Sequence, residues 1–139
     1  MMTSAELDNL VRIGALKREP RSQSEFDGLL KSGIARLKDA SIPTLAPESQ
    51  FDLAYNAAHS LSLAALRWHG YRSTKRYVVF QSLEHTLGLP SPIWRVLDKA
   101  HQLRNLAEYE GEVEIERRMV LDLLNVARIV ADAVSKLGQ

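Results

Sequence analysis

Apolar residues recur three and four positions apart along most of this 139-residue chain. That spacing lines one side of a helix, and no credible strand run appears. We therefore expect an all-α protein that folds as an antiparallel up-and-down four-helix bundle with extra short helices. A single domain is expected over residues 1–139, with the core of the bundle at about residues 22–137.

Four long helices make up the predicted bundle. They cover residues 22–41, 48–69, 92–110 and 113–137. A capping box at Ser22–Glu25 opens the first helix, and Ser91 is the expected N-cap of the third. The second carries many alanines on its apolar face and is expected to be the most buried of the four.

Two shorter helices lie outside these four. One begins at a capping box, Thr3–Glu6, and is expected to run to just before Pro20. Lys17 and Arg18 would then lie at the negative end of its dipole. The other follows the basic loop at 72–76 and ends at Leu87, before a glycine.

Composition limits the classes of function. The formal net charge is +1, so any site for an anion must be a local feature. The chain has no Cys, no apolar run of about 18 residues and no basic-then-apolar pattern at its start, and we expect a cytoplasmic protein without membrane contact. Metal-ligand spacing, glycine-rich phosphate loops and serine-hydrolase motifs are missing from the sequence, so neither a metal nor a cofactor is expected.

Arg104 occupies an apolar face of a predicted helix. The apolar stripe of helix 92–110 is formed by Ile93, Val96, Leu97, Ala100, Leu103 and Ala107. At about 100° per residue, Arg104 projects from the middle of that stripe. A guanidinium on a buried face is costly unless a carboxylate, a polar network or a bound anion satisfies it.

Two interpretations of Arg104 stay open. Arg104 could pair with Glu108 on its own helix or with Asp52 on helix 48–69, as a structural ion pair. It could instead point into a cleft between helices or subunits and bind phosphate through its bidentate fork. His101 and Asn105 lie on the same flank of the helix and make its surroundings polar.

A polar stripe interrupts the otherwise apolar helix 48–69. Asp52, Asn56 and His59 follow one another at i, i+4 and i+7, so they share one side of the helix. The stripe is either an internal hydrogen-bond network or the wall opposite Arg104, with His59 as a proton carrier.

Two charged segments border the helices. The loop at 72–76 carries Arg72, Lys75 and Arg76, and is expected to be a solvated turn, with a phosphate or RNA contact as the alternative. Every second residue from 108 to 116 is a glutamate, and these residues are expected to form a solvated helix junction. Their negative charge would repel RNA on that side or bind a basic partner.

The pattern Arg104-Asn105-x-x-x-Tyr109 resembles a motif of the HEPN superfamily, a group of compact helical domains. The segment 52–58 on a central helix, then Gly70-Tyr71-Arg72, then Arg-Asn late in the chain, is similar to the bacterial branch of that superfamily. This branch is often encoded beside minimal nucleotidyltransferases. The resemblance implies a four-helix bundle that binds nucleotide or RNA. It also implies a homodimer with the Arg-bearing helices facing each other, and a nucleotidyltransferase as a possible partner.

One position departs from the family pattern. Active HEPN toxins carry Arg-x(4–6)-His and cleave RNA without a metal, with Arg stabilising the phosphorane and His assisting proton transfer. Here Arg104 and Asn105 match, but Tyr109 stands at the His position. A tyrosine hydroxyl ordinarily ionises only at about pH 10 and is a poor proton carrier at neutral pH.

We accordingly expect a catalytically degenerate binding module of toxin–antitoxin type. The expected nucleotide- or phosphate-binding residues are Arg104, Asn105, Tyr109, Asp52 and Asn56. One alternative is a metal-independent endoribonuclease in which His101 or His59 replaces the missing histidine. Another is a structural or protein-interaction bundle with Arg104 fixed in an ion pair.

Overall fold

The computed structural model describes residues 5–111 and 113–138. Its elements are, in chain order, α1 (Ala5–Arg12), β1 (Lys17–Arg18), α2 (Gln23–Ala40), α3 (Pro47–Trp68), β2 (Tyr71–Arg72), α4 (Arg76–Gln81), α5 (Leu83–Thr86), α6 (Ser91–Glu110) and α7 (Arg117–Ser135). The long helices α2, α3, α6 and α7 form a helical bundle, which confirms the predicted all-α class. None of the described helices is both long and apolar enough to span a bilayer.

Contacts between α2 and α3 show that the two helices are antiparallel. Ser60 near the middle of α3 donates a hydrogen bond to the carbonyl oxygen of Leu29, at 2.8 Å. Gln50, near the start of α3, donates to the carbonyl oxygen of Ala40 at the end of α2, at 3.1 Å. The contacting residues therefore have decreasing numbers along α3 as their numbers increase along α2, which is the antiparallel arrangement.

Helix α3 is the centre of the core, as predicted. Its alanines are fully buried, and Gly33 of α2 approaches it so closely that a Cβ on Gly33 would lie 2.6 Å from Cγ of Leu61. Small residues at a helix contact permit this separation. Helices α2, α4, α6 and α7 all pack against α3.

The N-terminal region differs from the prediction. Helix α1 ends at Arg12, well before Pro20, and Gly14 follows in the left-handed region with φ of 82°. Lys17 and Arg18 are not at a helix end but form strand β1, which pairs antiparallel with β2. The expectation of no strand was therefore wrong, because a two-residue strand is too short to show alternation. Of the predicted capping box, Thr3 and Ser4 lie outside the described residues.

Arg67 explains why this short sheet forms. Its side chain is 1% exposed and reaches from α3 to the segment that contains β1. It donates to the carboxylate of Glu25 and to the carbonyl oxygens of Glu19 (3.0 Å), Pro20 (2.6 Å) and Tyr71 (3.3 Å). Glu25 was expected to complete a capping box with Ser22. Ser22 does cap α2, through its hydroxyl to the Glu25 amide at 3.3 Å, but the Glu25 carboxylate binds Arg67 and Arg72 instead.

Boundaries in the second half also differ. Ser91 is the first residue of α6 and makes no side-chain cap, since Pro90 occupies the N-cap position. The short helix expected to end at Leu87 is two helices, α4 and α5. Helix α7 begins at Arg117, not at 113, because Val113 and Ile115 turn inward while the glutamates between and after them are exposed. That alternation is the mark of an extended segment.

Candidate functional site

Arg104 lies on α6 facing α3, and its side chain is half-buried, with 28% exposed. Its guanidinium is 3.6 Å from the carboxylate of Glu108, which is 65% exposed. Among the described residues no other carboxylate lies within 4.0 Å of it, so the alternative pair with Asp52 does not form. The charge on the apolar stripe is therefore only weakly paired, and one exposed i,i+4 pair contributes little.

The guanidinium of Arg104 lies over an aromatic ring that the sequence did not single out as a site residue. Its Cζ is 5.0 Å from the centroid of the fully buried Tyr55 ring on α3. Cζ of Arg76, the first residue of α4, lies 5.4 Å from the same centroid. Such contacts hold a cation in place while leaving its N–H donors available. We refer to Tyr55, Arg76, Arg104 and His101 as the Tyr55 cluster.

His101 of α6 is fixed by Tyr55. The Tyr55 hydroxyl and Nδ1 of His101 are 2.9 Å apart, and the two rings stack at 6.4 Å. Tyr55 is fully buried, and this contact satisfies its hydroxyl. Nε2 of the same ring faces the side-chain nitrogen of Asn105 at 3.3 Å, so both ring nitrogens of His101 have a polar neighbour.

The predicted polar stripe on α3 is partly solvated. Asp52 is exposed, while Asn56 and His59 are half-buried. Asn56 donates to the backbone oxygen of Asp52 at 2.9 Å, and its own side-chain oxygen accepts from Arg76 at 3.4 Å. The stripe therefore combines a local hydrogen-bond network with a wall that faces two arginines.

His59 is held neutral by its surroundings. Burial, and then the nearby charges of Arg76, Arg104 and His101, together lower the pKa of His59 to about 4. Its ring meets Phe80 edge-on at 6.0 Å. At neutral pH His59 is therefore an uncharged imidazole that can accept a proton or a hydrogen bond.

Three adjoining cavities run along this side of α3. The first, of about 210 Å³, and the second, of about 320 Å³, share Asp52, Arg104 and Ala107. The third, of about 530 Å³, shares Asn56 with the second and is also lined by His59 and Arg76. We call the three together the α3 groove. Arg104 therefore both pairs with Glu108 and lines an open cleft.

Some predicted site residues lie outside the groove. Tyr109 is 91% exposed near the end of α6 and lines none of the three cavities. Asn105 is exposed at the edge, where its contact is with His101. Within one chain, the structure brings together Arg104, Asp52, Asn56 and His59 but not Tyr109.

The basic loop at 72–76 divides between two roles. Arg72 binds Glu19 at 2.8 Å and also Glu25, so it belongs to the Arg67 network. Arg76 instead joins the Tyr55 cluster. A solvated turn, which the sequence favours, therefore does not describe Arg76. The apolar run directly after Arg76 indicates the short helix α4, which packs against the bundle and places Arg76 beside Tyr55.

No group of three histidine, aspartate or glutamate side chains in 5–111 and 113–138 is arranged to hold a metal ion. The groove carries guanidinium, imidazole and amide groups, which suit an anion, and at one end the carboxylates of Glu48, Asp52 and Glu108. Comparison with known protein families gave no match, and a search of curated proteins gave none.

Proposed function

We propose that this protein binds a phosphate group of a nucleotide or RNA in the α3 groove. Arg104 and Arg76 supply the positive charge, and the amide of Asn56 supplies a further polar contact. The observation that carries the proposal is the pair of arginines held over one buried ring beside an open cleft.

The contrast with Arg67 supports this proposal. Arg67 is buried and all of its partners are protein oxygens, which is how a structural arginine is satisfied. Arg104 has a single carboxylate at 3.6 Å, and Arg76 has an amide oxygen at 3.4 Å. Their remaining N–H groups are suited to the oxygens of a phosphate.

The proposal includes a HEPN-like identity in a toxin–antitoxin-type module. The all-α bundle and the Arg-Asn pair near the end of α6 support it. A second copy of the chain and a nucleotidyltransferase are the proposed protein partners. Catalysis is not part of the proposal, since Tyr109 replaces the family's histidine and lies outside the groove.

The test is binding of a fluorescently labelled short single-stranded RNA, followed by anisotropy. Arg104→Met should weaken binding about tenfold or more, because charge-assisted hydrogen bonds are lost. The slope of log affinity against log salt should become shallower by about 0.7, the value for one phosphate on a single strand.

Arg118→Met is the matched control. Arg118 is also an i,i+4 partner of a carboxylate at 3.6 Å, but it lies on α7 and is 84% exposed. Loss of this charge should leave binding near the wild-type value. Equal binding by Arg104→Met and wild type would remove the site and favour a structural or protein-interaction bundle.

A metal-independent endoribonuclease is the second candidate. The neutral His59 lines the same groove as Arg76, which gives a possible base beside a cation. His101 is less suited to act as a base, because its two ring nitrogens already contact Tyr55 and Asn105. RNA cleavage that persists in chelator and is lost in both His59→Ala and Arg104→Met would establish this activity.

A further inference from the structure

We propose that the first cavity of the α3 groove is a base pocket, selective for nucleobases that carry an exocyclic amino group. This inference rests on the proposed function, since the phosphate of the same nucleotide would bind Arg104. The ligand class is thus a nucleoside monophosphate of cytosine, adenine or guanine, or an RNA end that carries one.

The walls of this cavity are of two kinds. Phe51 and Ile115 are buried apolar residues, and Val113 and Ala107 are half-buried. Apolar walls of this sort cover the faces of a flat heterocycle. The cavity therefore differs from the rest of the groove, whose second part is mainly polar.

Two carboxylates line the same cavity. Glu48 and Asp52 are one helical turn apart on α3, so they lie on the same side of it. Ionised carboxylates only accept hydrogen bonds. They match the amino group of cytosine, as in the recognition of cytosine N4 by Asp and Glu, and they repel the carbonyl oxygen that uracil has there.

The order of charges along the groove sets the direction of the ligand. Glu48 lies in the first cavity, Asp52 and Arg104 line both the first and the second, and Arg76 lies in the third. A phosphate near Arg104 thus leaves the base on the acidic side. An extended strand would bring a further phosphate against Glu48 and Asp52, which favours a mononucleotide or a strand end.

The experiment compares cytidine monophosphate, uridine monophosphate and inorganic phosphate in titrations followed by amide NMR shifts. The two nucleotides differ only on the pyrimidine ring, by the amino group and the adjacent nitrogen. We expect the cytidine nucleotide to bind about five- to tenfold more tightly, the lower part of the range for a base contact because both carboxylates are exposed. In the double variant Glu48→Gln/Asp52→Asn the ratio should fall to about one, because side-chain amides also donate to a carbonyl.

The control double variant is Glu110→Gln/Glu114→Gln, which makes the same charge change at exposed positions outside the groove. It should keep the wild-type ratio. Equal affinity of wild type for the two nucleotides, with both lost in Arg104→Met, would overturn the base pocket and leave the phosphate site. Binding of none of the three ligands, or binding unaffected by Arg104→Met, would overturn the proposed function and this inference with it.

Discussion

Replacement of Arg67 by Met tests the distinction between a structural and a ligand-binding arginine. Arg67 is 1% exposed, and its guanidinium satisfies the Glu25 carboxylate and three backbone carbonyl oxygens. Methionine keeps much of the volume but donates nothing. Glu25 retains Arg72, while the carbonyl oxygens of Glu19, Pro20 and Tyr71 lose a buried donor.

The expected cost is large. Removal of one partner of a buried ion pair destabilises by about 3–5 kcal/mol, out of a total free energy of unfolding of roughly 5–15 kcal/mol for a domain. Urea denaturation followed by far-UV circular dichroism measures the loss as a lower midpoint. The paired variant Arg104→Met should cost at most about 1 kcal/mol, because its ion pair is exposed.

The same network gives a pH dependence. Hydrogen bonds from Arg67, and then from Arg72, hold the pKa of Glu25 below its ordinary value of 4.5. The unfolded chain therefore binds this proton at a higher pH than the folded chain does. The resulting stability is present above pH 4.5 and is lost as the pH falls through the folded pKa.

If Arg67→Met lowers the free energy of unfolding by less than about 1 kcal/mol, or if Arg104→Met lowers it equally, Arg67 does not have the structural role assigned to it.

Two further predictions concern packing and the cluster. Gly33→Ala should destabilise by about 1–3 kcal/mol, because its Cβ would lie 2.6 Å from Leu61 Cγ. Gly28→Ala should instead stabilise the same helix, since nothing lies within 4 Å of the added Cβ. Thermal unfolding should show opposite shifts of Tm for the two variants, and shifts of the same sign would contradict the close approach. Tyr55→Phe should cost about 1 kcal/mol and change the ¹⁵N shift of His101 Nδ1, because the hydrogen bond of that atom is removed. Phosphate binding should persist in Tyr55→Phe, because the ring face is kept, and should be lost in Tyr55→Leu. Loss of binding in Tyr55→Phe as well would show that the hydroxyl, not the ring, organises the site.

The long helices could be predicted from the sequence because their apolar periodicity is sustained over several turns. The secondary-structure predictions were wrong where the conformation of a short segment depends on residues far away in the chain. Strand β1 forms because Arg67, far along the chain, binds the carbonyl oxygens next to it. In the extended segment before α7, apolar and acidic residues alternate at 113–116. These four residues adjoin a much longer helical pattern, so the sequence predicted a helix from 113.

The candidate site was partly predictable for a similar reason. Helical spacing correctly placed Asp52, Asn56 and His59 on one side of α3, where Asp52 and Asn56 line a cavity with Arg104. Periodicity could not say how far that side is covered, so Arg104 was expected on a buried face and is half-exposed. Nor could it predict Arg76, whose position depends on how the loop at 72–76 returns to α3.

The central claim is that Arg104 and Arg76 bind phosphate, and the most direct test observes their side chains. NMR spectra of the arginine Nε–Hε groups, recorded while cytidine monophosphate is added to the wild-type protein, report each guanidinium separately. The account predicts saturable shifts for Arg104 and Arg76, with the Arg67 and Arg118 signals unchanged. Unchanged Arg104 and Arg76 signals at saturating nucleotide, or shifts equally large at Arg118, would contradict it.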